Sequence, residues 1–429
     1  SRIPHPVSRI THPASRIPKM QNLPLTRREF IRGAGGLGFL AFSGVAPAFL
    51  ARSALAQTPA PERDRSIFVI IQLAGGNDGL NTVVPFSDDR YHNLRPTLGL
   101  RDGLLNLNDD LALHPACKEL HQLYEDGNLS IVQNVGYPNP NRSHFRSTEI
   151  WETASDSDTF AREGWIGRYF DNTCAGAPEG SVDHDPCGIH VSDMIPQSYL
   201  SEKSHPLFGM KHQGRFDRGQ DPADLAYEKL LQADHIEGNA SYLQHTMMNT
   251  LVTERRVEQI IAKYKAEASY PGTRLAQSLK RVAALIHADM ETRVYFVSQG
   301  GYDTHANQLT NHQRLLSELS AGMNAFQQDL QAHKKEDQVL TMTFSEFGRR
   351  PAENGSAGTD HGTAAPLFVM GSQVNGGLLG QAPALVTDPK KDLTYSTDFR
   401  GIYSSVLDKW LEADSSQILG DTYDHVPFV

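Results

Sequence analysis

Four residues in the second half of the chain, Asp303, His305, Asp360 and His361, have the types and spacing for divalent-metal chemistry. Carboxylate oxygen and imidazole nitrogen together suit zinc, manganese or a similar ion, and no cysteine is needed. Adjacent residues such as Asp360 and His361 point in different directions, so the pair can serve two ions, one each. Two ions about 4 Å apart clamp the attacking and leaving oxygens of a phosphoryl or sulfuryl transfer. Glycines at 300, 301, 358 and 362 permit close backbone approach around such ligands. His312 does not join the set: seven helical residues separate it from His305 by roughly 10 Å along an axis, and its place on an apolar face suits core packing. For Asp303 and His305 the competing role is capping, since an Asp before a helix satisfies orphan N–H groups.

The segment Asn139-Pro140-Asn141-Arg142-Ser143-His144-Phe145-Arg146-Ser147 offers a nucleophile. Ser143 at a helix start sits in a positive backbone field that favours an alkoxide and binds an anion. Arg142 and Arg146 can grip a sulfate or phosphate through bidentate bonds. The plainer alternatives are an N-cap for Ser143 and a surface charge for Arg146. Asp78, in Gly75-Gly76-Asn77-Asp78-Gly79, is either a metal ligand after the first strand or part of a tight turn. That stretch lacks the GxGxxG spacing and no Lys-Ser/Thr follows, which argues against a nucleotide loop. His114, in Leu113-His114-Pro115, is either a site residue or a cap.

These residues need elements to hold them. Ile67–Leu73 is a continuous β-branched apolar run ending in glycines, and reads as a buried strand. Leu113–Tyr124 has helical spacing, Leu129–Val135 reads as a second buried strand, and Ser143–Thr153 and Trp165–Phe170 read as helices. From Asp171 to Gly219 the composition turns to Gly, Pro, Asp, His and Ser without periodicity, which predicts a loop-rich surface insertion or lid. Two or three helices are expected between Pro222 and Ala288. Arg293–Ser298 is a strand, followed by a long helix with Leu309, Leu316, Leu319, Met323, Phe326 and Leu330 on one face. Gln338–Phe344 and Pro366–Met370 are further strands. Alternating strands and helices predict an α/β fold with a largely parallel sheet and helices on both faces. In such sheets ligands sit at the carboxyl ends of strands, where Asp78, Asp303 with His305, and Glu346 all fall.

The start of the chain is of another kind. Thr26-Arg27-Arg28-Glu29-Phe30-Ile31 precedes an uncharged run from Gly33 to Leu50 and then Ala54-Leu55-Ala56. A paired-Arg region, a moderately apolar run and a small-x-small cleavage site make a twin-arginine export signal over residues 20–56. Arg52 and the shortness of the run weigh against a membrane anchor. The mature domain is then 57–429, placed in the periplasm or outside the cell. Residues 1–19 repeat Ser-Arg-Ile three times with no hydrophobic pattern, and read as a disordered or upstream extension before Met20. Residues 57–429 hold 32 Lys or Arg against 49 Asp or Glu, a formal net charge of −17. A field of that sign argues against nucleic acid and anionic membrane surfaces as partners. No apolar segment after Gln57 approaches membrane length. The three cysteines show no zinc spacing; Cys174 and Cys187 either pair across a Gly/Pro/Asp-rich loop or stay reduced with Cys117.

Taken together, the twin-arginine signal, GGNDGLNTVVP (75–85), LALHPA (111–116), NRSHFRSTEIWE (141–152), GGYDTHANQ (300–308), FSEFGRR (344–350) and GTDHGT (358–363) resemble the bacterial "domain of unknown function 1501" family. The resemblance spans nearly the whole mature chain. It places the chain near the alkaline-phosphatase-like superfamily of sulfatases and phosphatases, and so implies a three-layer α/β/α fold with one or two divalent ions. By that resemblance Asp78 matches the superfamily's first-strand Asp, and Asp360-His361-Gly362 its Asp-His-Gly motif. Asp303 and His305 look like its Asp-x-x-x-His ligands at a shorter spacing, and the nucleophile falls near Ser143. The Cys/Ser-x-Pro-x-Arg signature of sulfatases is absent. Superfamily members usually carry a further His ligand downstream of Asp-His-Gly; here the only His after that motif is His425, a departure that implies an incomplete second metal site. The expectation is therefore an exported hydrolase of phosphate or sulfate esters. Asp78, Asp303, His305, Asp360 and His361 would hold zinc, manganese or calcium, and Ser143 and Arg146 would act on a small anionic ester or glycan. The twin-arginine translocase would be its export partner. The alternative is a catalytically degenerate periplasmic or surface protein that binds an anionic glycan or a protein.

Overall fold

Ile67–Ala74 forms strand β1 inside a nine-stranded sheet and is buried along nearly its whole length. The computed structural model describes residues 66–173, 185–211 and 252–429, all of them within the unit Arg63–Val429. The export segment, the repeats before it, Cys174 and the part of the expected Pro222–Ala288 helices that precedes residue 252 lie outside the described residues.

Numbered in chain order and taken across the sheet, the strands are Gly377–Leu379 (β8), Leu129–Gly136 (β2), Ala365–Met370 (β7), Val339–Phe344 (β6), β1, Val294–Gly300 (β5), Gly188–Val191 (β3) and Leu207–Met210 (β4). Thr397–Asp398 (β9) also pairs with β2. All pairings are parallel except those of β7, which runs against both of its neighbours. A mostly parallel sheet must be covered on both faces. Here Val69, Ile71 and Leu73 of β1 pack on one side with helices Lys118–Glu125, Arg274–His287 and Gln308–Ala332. Phe68 and Ile70 pack on the other with helices His144–Thr153, Trp165–Thr173 and Phe399–Ser405. The result is three layers, helix, sheet and helix. Each large apolar side chain so buried contributes roughly 1.5–3 kcal/mol, which fixes the register of β1 against its neighbours.

That register builds the site. Ala74 pairs with Gly300 and Gln72 with Phe344, so the loops after β1, β5 and β6 leave the sheet side by side. Gly75, at φ +123°, makes this possible, because a Cβ there would lie 2.4 Å from the Asp303 backbone nitrogen. Beyond β6 a small antiparallel hairpin, Arg349–Glu353 with Thr359–His361, sets Arg349 opposite His361.

Three expectations need correction. The segment 171–219 is not wholly loop: β3 and β4 within it complete the edge of the sheet. Four-residue strands between prolines and glycines carry no periodic signal long enough to read. The helix expected from Leu113 begins at Lys118, because Ala112–Leu113 pairs with Val83–Val84 as a strand. Leu309, placed on the apolar stripe, remains exposed, and Leu315 takes a buried place in that helix instead. Among the described residues no helix is long and apolar enough to cross a membrane.

Candidate metal centre

Asp303 and His305 stand on the loop after β5, and Asp360 and His361 on the hairpin beyond β6. The two pieces are held close by Gly358, where a Cβ would come within 2.3 Å of the His305 carbonyl. His305 Nε2 lies 2.9 Å from His361 Nε2, and each lies 3.1 Å from Asp303 Oδ1. A metal bonded at about 2.05 Å sets neighbouring ligand atoms roughly 2.9–3.4 Å apart, so this triangle has the edge lengths of one face of a coordination shell. Two facing imidazole nitrogens at that distance also require a proton or a cation between them.

A further candidate ligand comes from an element the metal-ligand reading did not use. His144, the first residue of its helix, brings Nε2 to 3.6 Å from Asp303 Oδ2, and His144, Asp303 and His361 form a group with metal-binding spacing. Its Nδ1 lies 2.8 Å from Glu346 Oε1, which also accepts from the Gly75 backbone N–H at 2.9 Å. The carboxylate only accepts, so Nδ1 carries the proton and Nε2 presents its lone pair. His361 is set in the same way, with Nδ1 donating 2.9 Å to the Arg142 carbonyl. His305 Nδ1 lies 3.4 Å from Asp360 Oδ1. Asp360 therefore stands behind His305, and Asn354 Nδ2 donates to the same carboxylate oxygen at 3.1 Å.

The electrostatics agree with the geometry. Partial burial raises the Asp303 carboxyl. The hydrogen bond from Arg349, the contact with His361 and the charges around it outweigh that rise and bring it to about 2. The hydrogen bond to Glu346 pushes His144 up, while burial pulls His361 down against its bonds to Asp303 and Arg142. Asn354 holds Asp360 below the ordinary carboxylate value. The cluster is open: the Asp303 side chain is 47% exposed and His305 45%.

Arg349, which sequence reasoning missed as a site residue, organises the floor. Buried, it donates from Nε to the Gly76 carbonyl at 2.8 Å and from Nη1 to the Thr359 carbonyl at 3.0 Å. Its Nη2 reaches the Gly75 carbonyl, the Tyr302 carbonyl at 3.0 Å and Asp303 Oδ1 at 2.7 Å. One guanidinium thus ties the loops after β1 and β5 to the hairpin.

The remaining expected residues lie elsewhere. Asp78 is fully buried and takes a two-pronged ion pair from Arg95, at 2.7 and 2.9 Å, plus a bond from Gln308. With its oxygens so occupied it belongs to the scaffold, and a role as a metal ligand is not what this geometry presents. Arg146 is likewise corrected: its Nη2 holds the carbonyls of Asp156, Ser157 and Thr159 at 3.0, 3.1 and 2.6 Å, so it braces a loop. Ser143 is the N-cap residue of its helix by backbone position, but it is exposed and makes no capping bond. It sits in the chain between Arg142 and His144, both of which touch the cluster. His312 is buried as expected, 3.0 Å from Asn77 Oδ1, and His114 caps the turn below it by accepting from the Ala116 N–H at 2.9 Å. His425 bonds Asp408 at 2.6 Å, where it is engaged with a different carboxylate. The signals for the missed residues were present. His144 lies in the segment singled out for its serine, Glu346 is an acid placed directly after a buried strand, and Arg349 follows three residues later.

The sheet and this cluster define an α/β protein with an open imidazole–carboxylate site at the carboxyl edge of a mostly parallel sheet. The chain belongs to the family described as "Protein of unknown function (DUF1501)", whose model matches residues 64–402. No curated protein sequence matches it. Among solved structures it is similar to Ps i-CgsB in complex with k-i-k-neocarrahexaose, at 8% identity over 84% of this chain and 73% of that one, with a TM-score of 0.36. It is similar also to the PsFucS1 sulfatase from Pseudoalteromonas sp., at 9% identity over 88% and 72%, with a TM-score of 0.34. A third is the C-terminal periplasmic domain of EcEptC from Escherichia coli in complex with Zn, at 8% identity over 72% and 74%, with a TM-score of 0.33.

Proposed function

We propose that this protein is an exported, metal-dependent hydrolase of phosphate or sulfate esters. The observation that carries the reading is the convergence of His144, His305 and His361 Nε2 atoms on the Asp303 carboxylate, with each Nδ1 turned toward an outer oxygen. Imidazole-rich donors favour zinc or manganese over calcium, which prefers an all-oxygen shell. A divalent ion there would supply Lewis-acid polarisation of an ester oxygen. The chain's own residues supply the rest. Glu346 and the Arg142 carbonyl fix the imidazole tautomers, and Arg349 orients Asp303. Ser143 Oγ, free of any capping bond, is the candidate nucleophile. Its attack would form an Oγ–phosphorus or Oγ–sulfur bond as the alcohol leaves, and water would then release the oxyanion. Export by the twin-arginine translocase to the periplasm or beyond rests on the Thr26–Ala56 segment, and a small anionic ester or glycan fits the open site.

One observation favours a second reading. Asp78 is bound to Arg95 and His425 to Asp408, so neither is offered to a second ion. A single-ion or degenerate relative that binds an anionic glycan or a partner without turnover follows from that. Chelator-sensitive release of an aryl alcohol from an aryl phosphate or sulfate supports the hydrolase. A zinc-loaded, folded protein with no turnover of either ester class supports the binder.

A further inference from the structure

Four arginines that touch or flank the cluster divide into two kinds. Arg95 and Arg349 are buried and each makes five hydrogen bonds, so that every guanidinium nitrogen of both is engaged. Arg142 and Arg350 stand at the rim, with side chains 45% and 27% exposed, and both converge on one carboxylate. Arg142 Nη1 donates to Asp392 Oδ2 at 3.2 Å, its side chain's one hydrogen bond among the described residues. Arg350 Nε lies 3.3 Å from Asp392 Oδ1 without hydrogen-bond geometry, and both atoms are buried without a hydrogen-bond partner. The two meet as opposite charges and not as a hydrogen bond, so the Arg350 Nε–H is held to Asp392 less firmly than a bonded donor would be. Two permanently charged guanidinium groups thus share the single carboxylate of Asp392 as their direct ion-pair partner.

Their backbones border the site. The Arg142 carbonyl receives the His361 Nδ1–H, and Arg350 follows Arg349 on the hairpin strand that pairs with Thr359–His361. The Arg350 charge also acts on Asp360. We propose that Arg142 and Arg350 form the recognition site for a tetrahedral oxyanion, the phosphate or sulfate group of the substrate, and that Asp392 is the counter-ion this anion displaces. The identification of that anion as part of an ester rests on the hydrolase reading; the anion site itself does not. Planar guanidinium groups bind such oxygens in a bidentate manner, and their unused donors are those the anion would take.

The test is calorimetric titration of inorganic phosphate, and separately of sulfate, into the zinc-loaded full chain. Arg142→Gln with Arg350→Gln should weaken binding at least about tenfold, the value of one charge-assisted bond pair. Asp392→Asn should tighten it about fivefold by removing the internal competitor, a gain that misfolding cannot produce. Absent binding by the wild type, unchanged affinity in the double variant, or weaker binding by Asp392→Asn would each overturn the proposal. Zinc content is measured on the same samples. A protein that takes no zinc but keeps arginine-dependent phosphate binding would defeat the hydrolase reading and leave this one standing. Zinc-dependent turnover with an indifferent double variant would do the reverse.

Discussion

Asp78 and Asp303 both follow strands of one sheet, three residues or so past adjacent β ends, and both suit a metal by type. Their surroundings differ in the partner each meets. Asp78 meets Arg95, a side chain with no exposed surface, at 2.7 Å, and Gln308 fills a further place on its carboxylate. Asp303 meets Arg349 through one oxygen only, and its half-exposed carboxylate still faces three imidazoles. An ion pair taken fully out of water must be satisfied within the protein, and so it becomes scaffold. A carboxylate held by one buried arginine but open on its other side keeps lone pairs for an ion. Arg95 makes the difference concrete, since it also holds the carbonyls of Arg350 and Pro351 and thereby supports the hairpin that carries His361.

The largest expected effect breaks the Asp78 side. Asp78→Ala leaves the Arg95 charge buried and uncompensated, which should cost about 3–5 kcal/mol in urea unfolding. Asp78→Ala with Arg95→Met should recover much of that loss. Asp303→Ala also takes the carboxylate from a buried arginine, Arg349, but the vacated position is half open to water and four carbonyl acceptors remain, so it should cost less, on the order of 1–2 kcal/mol. Equal losses for the two aspartates would erase the contrast.

The next effect concerns the residues behind the proposed metal ligands. Glu346→Gln removes the carboxylate behind His144 and should weaken zinc binding by about 10–100-fold, read by competition with a chromogenic chelator. An unchanged affinity would remove His144 from the ligand set.

Acid sharpens the comparison further. Burial pulls both His312 and His114, beside Asp78, down to about 4. Their neutral forms therefore stabilise the fold above the ordinary value near 6.5, and that contribution is lost as pH falls from 6.5 through 4, on the order of 2 kcal/mol each. His144 has the opposite sign. Raised by Glu346, it stabilises the metal-free protein below its ordinary value and loses that contribution as pH rises through its folded one. His312→Asn should flatten the acid limb of a melting-temperature profile, and an unaltered limb would contradict the assignment.

The smallest effect on stability belongs to Ser143→Ala. With no capping bond to lose, the change should stay within about 0.5 kcal/mol, while ester turnover by the zinc-loaded protein falls at least about a hundredfold. Retained turnover would pass the nucleophile's role to water.

The same contrast explains what could be read in advance. β1, β2, β5 and β6 are runs of apolar residues whose burial follows from their own sequence, and so the sheet and its carboxyl edge were legible. That Asp303, His305 and His361 meet at that edge was legible, because a strand end and a glycine-flanked Asp-His pair are local signals. Arg95 was not, for it lies seventeen positions from Asp78 on an excursion whose path sequence does not reveal. The pairing of His144 with Glu346 spans 202 positions and exists only once the sheet has brought two loop sets together. The short strands β3 and β4 depend on a neighbour's edge for their hydrogen bonds, and nothing in four residues announces that edge.

Metal content, measured by mass spectrometry on the folded protein and on Asp303→Ala, tests the central claim most directly. The account predicts at least one equivalent of zinc or manganese in the wild type and none in a still-folded Asp303→Ala. A folded wild type that takes up no divalent ion when one is supplied, or an Asp303→Ala protein that binds as well as the wild type, would contradict it.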